Sequence, residues 1–369
     1  MMIKKLLLPA LLVLICLSKG IAQDPSFSQF YANRIYLNPA FTGLENGVSV
    51  AGVSRLQWLS ADRGFRTYGA SAEIRMPHLD SGFGLSLFQD EAGIGQLTTT
   101  SIGLSYAYTI PMDEQELHIG MQGVWVQKGV DWSKLIFSDQ LDPIHGNTNQ
   151  TSALPGQERV RYTDFNMGAV WRFNSNFNMG TKQIRGMKTS IGVSLNHLVS
   201  LFNENGGGES LQNLPTSVPP RITMHAGSVI PIKYYAGKRK KIAISPNIKW
   251  DIQGESLFKF KENFQVMTYG AYVLFDGVYF GAMYQNKHAL SFTKNTNAFI
   301  FAAGANIKYS KENIYFIGFS YDANTSGVGP QAGGVYEIAF RWTGLKSGGG
   351  KGRSKLKSKK RSVDCYNFF

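Results

Sequence analysis

Runs of about ten residues that alternate strictly between two kinds of side chain recur along almost the whole of this sequence. Val48 to Trp58 sets Val48, Val50, Gly52 and Ser54 against Ser49, Ala51, Val53 and Arg55. Leu97 to Ile110 puts Ile102, Leu104, Tyr106 and Tyr108 on one face and Thr99, Ser101, Gly103 and Ser105 on the other. Asn297 to Tyr309 and Asn313 to Tyr321 repeat the pattern, small or polar residues facing bulky ones. Successive side chains of a strand point to opposite faces. A strand that crosses a membrane needs this period over about ten residues, because one face meets lipid and the next the lumen.

The start of the chain reads as a secretory leader, 1–22. Lys4 and Lys5 precede an apolar core, Leu6 to Leu17, and Gly20-Ile21-Ala22 offers small residues for cleavage before Gln23. A transmembrane anchor is the alternative, but about twelve apolar residues interrupted by Pro9 are too few to span a bilayer as a helix. Cys16 as a lipidation site lacks the small residues expected before it, since Val13-Leu14-Ile15 stands there. With no second apolar stretch near spanning length, a membrane location would have to use strands. The composition agrees: 40 Gly and 13% aromatic residues against 17% charged. Beyond the leader only Cys365 remains, which excludes a disulfide-stapled globule.

Counting the runs predicts strands at 48–58, 65–76, 82–90, 97–110, 115–126, 160–173, 187–197, 220–231, 241–251, 264–275, 277–286, 297–309, 313–322 and 334–343. Their even number suits a single-chain bacterial barrel. The expected fold is an all-β transmembrane antiparallel barrel, 48–343, with a periplasmic plug-like segment, 23–47, and a flexible basic tail, 344–369. If the first strand runs outward, the short connections, among them 77–80, 111–114, 276–277 and 310–312, are periplasmic. The long ones, 127–159 and 198–219, are then external. Two connections break this pattern: 174–186 is long for a periplasmic turn and 59–64 short for an outer loop. Trp58, Tyr68, Trp125, Trp171, Trp250, Tyr309 and Trp342 gather toward strand ends, as interfacial girdles would. A two-sheet sandwich is the soluble alternative, but it would be large, and nothing before Gly344 reads as a linker.

The net charge of +13 is concentrated at the end of the chain. Without the leader cations and the eight from Lys346 to Arg361, the body from Gln23 to Leu345 holds 27 basic and 24 acidic residues. Lys351, Arg353, Lys355, Lys357, Lys359, Lys360 and Arg361 form a run too charged to fold alone, followed by an apolar end containing Cys365, Phe368 and Phe369. This reads as a docking tail. Phe368 and Phe369 as a barrel-assembly signal is the other reading, although the final strand ends near Trp342. Nucleic acid is not an expected partner, because the cations are not interleaved with aromatic platforms.

Catalytic patterns fail on context, and neither enzymatic chemistry nor a cofactor is expected. Gly348-Gly349-Gly350-Lys351-Gly352 lacks the Ser/Thr and the helix of a phosphate loop. The six histidines, His78, His118, His145, His197, His225 and His288, are scattered and read as loop or lumen residues rather than metal ligands. Asp90-Glu91 reads as an external turn rather than an acid–base pair.

Between the turn-forming pairs Asp24-Pro25 and Asn38-Pro39 lie Phe27, Phe30, Tyr31, Ile35, Tyr36 and Leu37, too apolar to lie free in water. The segment reads as a plug or lid in the periplasmic mouth, or as a partner-binding surface, the two being compatible. Its candidate residues are Asp24, Pro25, Phe27, Phe30, Tyr36, Asn38, Pro39, Phe41 and Gly43. The stretch Gln23-Asp24-Pro25-Ser26-Phe27-Ser28-Gln29, continuing to Leu37-Asn38-Pro39-Ala40-Phe41-Thr42-Gly43, resembles the opening of the PorP/SprF family of the Bacteroidetes type IX secretion system. Arg55-Leu56-Gln57-Trp58, Phe319-Ser320-Tyr321-Asp322 and Gly334-Val335-Tyr336-Glu337-Ile338 extend the resemblance, and the terminal cysteine fits it. Tyr366 and Phe368-Phe369 depart from the family's usual ending.

The resemblance implies an outer-membrane component of type IX secretion, needed for export or surface attachment of substrates such as gliding adhesins. The expected partners are outer-membrane lipid, the C-terminal signal domain of a secreted substrate, and secretion-machine proteins with periplasmic lipoproteins or a peptidoglycan-linked adaptor. A fourteen-strand lumen is too narrow to conduct folded cargo. The competing expectation is an outer-membrane channel for small solutes or hydrophobic molecules.

Overall fold

The computed structural model describes residues 24–45, 47–60, 64–93, 97–142, 144–147, 156–179, 182–202, 210–211, 217–234, 241–254, 263–288, 297–310, 312–325 and 333–345. The leader and the docking tail from Lys351 to Phe369 lie outside these residues.

The alternating runs form one closed antiparallel barrel. Its strands are β1 Gly47–Gln57, β2 Phe65–Met76, β3 Ser81–Ala92, β4 Leu97–Met112, β5 Gln115–Gly129, β6 Arg159–Met179, β7 Lys182–Asn196, β8 Arg221–Tyr234, β9 Lys241–Gln253, β10 Phe264–Phe275, β11 Val278–His288, β12 Ala298–Lys308, β13 Asn313–Asn324 and β14 Val335–Leu345. Each pairs with its neighbours in sequence, and β1 closes on β14 in register from Gly47↔Leu345 to Gln57↔Val335. Closure leaves no unpaired edge, as a sheet in hydrocarbon requires. No helix among the described residues is long and apolar enough to cross a membrane.

The alternation sorts side chains as expected. On β4, Leu104 is 69% exposed and Ile102, Tyr106 and Tyr108 share its outer face, while Ser105, Ala107 and Thr109 are buried inside. Long connections cluster at one end of the barrel, the loop mouth, and short ones at the other, the turn mouth. At the turn mouth Asp276 and Gly277, both at positive φ, join β10 to β11 as a two-residue hairpin. Trp58, Tyr68, Trp125 and Trp250 stand toward the loop mouth, and Trp171, Tyr309 and Trp342 toward the turn mouth.

Three local expectations change. The segment 174–186 is not a long turn: β6 continues to Met179 and β7 starts at Lys182, leaving a two-residue connection. Asn174-Ser175-Asn176 shows no apolar alternation, because a strand that projects beyond the bilayer has no lipid face to mark. Asp90 and Glu91 lie within β3 rather than in a turn; Asp90 faces inward and accepts from Thr67 Oγ1 at 2.6 Å. The last strand reaches Leu345, so Gly344 and Leu345 are barrel rather than tail.

Candidate functional site: a segment threaded through the lumen

Residues 24–45 do not cap the turn mouth. They run through the lumen, from Asp24 beside the loop-mouth ends of β7, β8 and β9 to Glu45 beside Arg341 near the turn mouth. The apolar residues that predicted a packed segment are the ones that fill the bore. Phe27, Phe30, Ile35, Leu37, Ala40 and Phe41 are all at most 5% exposed. Their removal from water drives the packing, at about 25 cal/mol per Å² of apolar surface.

A segment with one helical turn, Arg34–Leu37, and one 3-10 turn, Pro39–Phe41, leaves most of its backbone polar groups unpaired internally. The barrel wall supplies partners. Glu337 on β14 accepts from the amides of Ser28 and Gln29, each at 2.8 Å. Arg341 donates to the Tyr31 carbonyl at 3.0 Å, Ser194 to the Leu37 carbonyl at 2.9 Å, and Glu73 accepts from the Gly43 amide at 2.8 Å. Asn38 works in both directions. Its Oδ1 caps the 3-10 turn by accepting from Ala40 N, with Pro39 in the first position where no amide is needed. Its Nδ2 donates to the carbonyls of Ala169 and Val193 on β6 and β7.

Glycines in the wall make room for this segment. A Cβ at Gly120 would land on the backbone of Pro39 and Ala40, and one at Gly168 on the Asn38 carboxamide. Gly43, at φ +66°, lies directly against Gly82, a fit that excludes a Cβ on either residue.

Two ionic clusters fasten the segment. In the first, Ser28 Oγ donates to Asp322 Oδ2 at 2.6 Å and accepts from Arg55, which also reaches Asp322 at 3.2 Å and Glu337 at 3.3 Å. Arg55, Asp322 and Glu337 come from three of the stretches singled out in the sequence, and they converge on a fourth, Ser28-Gln29. The hydroxyl of Ser28 is committed to these bonds, with no imidazole beside it. In the second, Asp24 Oδ2 lies 2.7 Å from His197 Nε2 and 2.9 Å from Arg221, while His197 Nδ1 lies 2.5 Å from Asp164. Burial would lower the His197 pKa, but the two carboxylates outweigh it and push it up to about 10. Burial would raise the Asp24 carboxyl, yet His197 and Arg221 hold it well below the usual carboxylate range. The imidazole is therefore a cation donating from both nitrogens. At the other end Glu45 meets Arg34 at 2.7 Å, and against the opposing effect of burial Arg34 and Arg341 lower its pKa.

The other candidate residues complete the packing. Tyr36 donates to the Pro25 carbonyl at 2.6 Å, stacks on Phe88 at 5.0 Å and lies under the Arg221 guanidinium; Phe27 meets Tyr36 edge-on. The Lys249 ammonium sits over the Phe30 ring. Sequence reasoning missed Asp164, His197 and Arg221, because nothing in their local context sets them apart from other lumen residues. Among the described residues no group of three or more His, Cys, Asp or Glu side chains could hold a metal ion.

The filling is uneven. Three cavities between segment and wall measure about 20 Å³ each, whereas a vestibule of about 530 Å³ opens above the segment toward the loop mouth.

A family model described as type IX secretion system membrane protein PorP/SprF matches residues 20–342. Among solved structures, the chain is similar to a FadL homologue of Pseudomonas aeruginosa at 10% identity and a TM-score of 0.40, covering 84% of this chain and 92% of that one. It is also similar to an outer membrane channel of Pseudomonas putida F1 at 10% identity and a TM-score of 0.34, covering 83% and 98%. No curated protein matches the sequence.

Proposed function

This chain belongs to the PorP/SprF family of type IX secretion system membrane proteins, and we propose that it serves that system as a sealed docking subunit rather than as a conduit. Its place as an outer-membrane barrel of the secretion system is the premise; the docking role is the reading. The observation that carries it is the threaded segment 24–45. A barrel meant to pass solutes has no need of such a plug, and here wall glycines and two ionic clusters are committed to keeping the bore filled. With the bore occupied, the surfaces left for partners are the loop mouth, the turn mouth and the tail.

In this reading the loop mouth receives the C-terminal signal domain of a secreted substrate, gliding adhesins being one class. The turn mouth and the basic tail from Lys351 to Phe369 engage secretion-machine lipoproteins or a peptidoglycan-linked adaptor. No step of the role calls for catalysis. The test is crosslinking and pull-down of tagged protein from solubilised outer membranes, paired with planar-bilayer recording of the purified barrel. Recovery of machine lipoproteins and a cargo's C-terminal domain, with no steady conductance, is the expected result. A partnerless barrel with steady conductance would replace docking with small-solute transport. Deleting 351–369 should leave insertion intact and abolish secretion; normal secretion by the truncated protein would remove the tail from the docking surface.

A further inference from the structure

The vestibule above the segment has a chemistry of its own. At about 530 Å³ it lies within the range of about 300–1,000 Å³ typical of small-ligand sites. Its lining mixes apolar side chains, among them Leu87, Val124, Val126 and Val266, with polar ones. Ser86, Thr99, Ser101, Gln122, Asn166 and Asn324 contribute neutral hydroxyls and carboxamides from β3, β4, β5, β6 and β13. Its charges nearly cancel: Arg55, Lys128, His197, Arg221 and Lys287 stand against Asp24, Asp90, Asp164 and Asp322, and several of these are already paired with one another. The stacked rings of Tyr36 and Phe88 form part of its wall, with Trp58 and Phe65 in an edge-to-face pair also lining it.

Three buried polar atoms of lining residues have no hydrogen-bond partner: Oδ1 of Asn33, Oδ1 of Asp322 and Nδ2 of Asn324. Asn33 and Asp322 are 5% and 1% exposed. Asp322 and Asn324 are two apart on β13 and so share its inner face. Together they offer two acceptors and a donor. Buried polar groups are normally satisfied, so these three are places where a side-chain rotation toward the vestibule would gain a hydrogen bond.

We propose that the vestibule is a saccharide-binding site. A sugar is neutral or weakly charged, presents hydroxyls that both donate and accept, and has apolar C–H faces that pack on aromatic rings. Each property has a counterpart in the lining. An anionic phosphate ligand would want uncommitted cations in a cluster, whereas Arg55, His197 and Arg221 are spent on carboxylates and Lys128 and Lys287 stand on separate strands, β5 and β11. A hydrophobic solute would take the hydroxyls of Thr99 and Ser101 out of water without pairing them. An extended peptide binds best by adding to a free strand edge, and the closed barrel has none. The inference goes beyond the docking role and does not depend on it.

The test uses the full-length protein in lipid nanodiscs, titrated with maltotriose, triacetylchitotriose and mannotriose, binding being read by saturation-transfer NMR and calorimetry. At least one trisaccharide should bind with a Kd of about 1 mM or tighter. Asn324→Leu, which removes the unpaired donor, and Ser101→Trp, which fills the cavity from β4, should each weaken it by about tenfold or more. Both variants should keep the heat-modifiable gel mobility of the folded barrel; if one does not, the other carries the test. The proposal is overturned if none of the three sugars binds up to about 10 mM, or if binding is unchanged in the correctly folded variants. It is also overturned if the polar peptide Gly-Ser-Gly-Ser competes with equal affinity.

Discussion

The lower lumen and the vestibule are built by the same strands, yet they are solved differently. Toward the turn mouth, inward glycines, charged residues and the rings of Tyr272, Tyr279 and Phe316 meet a segment whose aromatic, proline and asparagine residues fit them closely. Toward the loop mouth inward hydroxyls, carboxamides and aliphatic side chains surround open space. A wall of constant architecture thus becomes either a packed core or a binding surface, according to whether the chain supplies its own filling. The filled half resembles a protein interior, in which changes of one methylene are felt. The open half resembles a surface, in which they are not.

Placing a side chain where the filled half has none should give the largest effect. Gly168→Leu would collide with Asn38, and Gly120→Leu with the backbone of Pro39 and Ala40. Each should destabilise by roughly 3 kcal/mol, at the upper end of the usual cost of overpacking, because Gly120 meets backbone and Gly168 a carboxamide held in place by hydrogen bonds. Urea unfolding in lipid vesicles measures the loss, and steady conductance would reveal an expelled segment. Wild-type stability with a silent bilayer record would mean that the lower lumen is not tightly packed.

Comparable in size is Arg55→Ala, which leaves Asp322 and Glu337 buried without their cation. Removing one partner of a buried ion pair costs about 3–5 kcal/mol. Arg55→Met, which keeps most of the side-chain volume, separates the lost charge from the cavity: urea unfolding should show nearly the same loss for both variants.

The latch at the boundary of the two halves predicts a pH window. His197 is protonated up to about 10 in the folded protein against 6.5 for the unperturbed group. Its contribution is therefore whole below about 6.5 and is lost as pH rises through about 10. Asp24 behaves oppositely: depressed in the fold, it contributes above the ordinary carboxylate range and loses that contribution only in acid. Thermal unfolding monitored from pH 6 to pH 10 should show a midpoint falling with alkalinity, and His197→Asn should flatten that slope. An equal slope in wild type and variant would detach the latch from the stability of the barrel.

The smallest effect belongs to the vestibule wall. Thr99→Ala removes a hydroxyl facing open space and should change stability by no more than about 0.5 kcal/mol. A loss as large as that at Gly168 would erase the distinction between the two halves.

How much of this was written in the local sequence follows from the same distinction. Wherever one strand face meets lipid and the other the lumen, the alternation persists, and every barrel strand was found from it, whereas the short pair Leu141–Asp142 and Gly146–Asn147 outside the barrel was not. Where β6 projects past that environment, at Asn174-Ser175-Asn176, the signal stops while the strand goes on. Asp24, Phe27, Tyr36 and Asn38 were legible as parts of a packed segment because turn-forming pairs bracket an apolar run. Their direction through the barrel was not legible: the segment was expected at the periplasmic mouth, and instead Asp24 lies at the loop mouth.

The sequence by itself determined that this chain crosses a membrane with strands, how many strands there are, and that its N-terminal segment must be buried. Those properties follow from nearest-neighbour alternation and from apolar residues that cannot remain in water. Only the tertiary structure decided that Arg55, Asp322 and Glu337 meet around Ser28, that His197 stands between Asp24 and Asp164, and that the bore is filled below and open above. Arg55 and Glu337 stand side by side because barrel closure sets β14 beside β1, and Ser28, 309 residues from Glu337, meets them because the segment is threaded through the lumen. No local pattern encodes which inward side chains a closed sheet brings face to face.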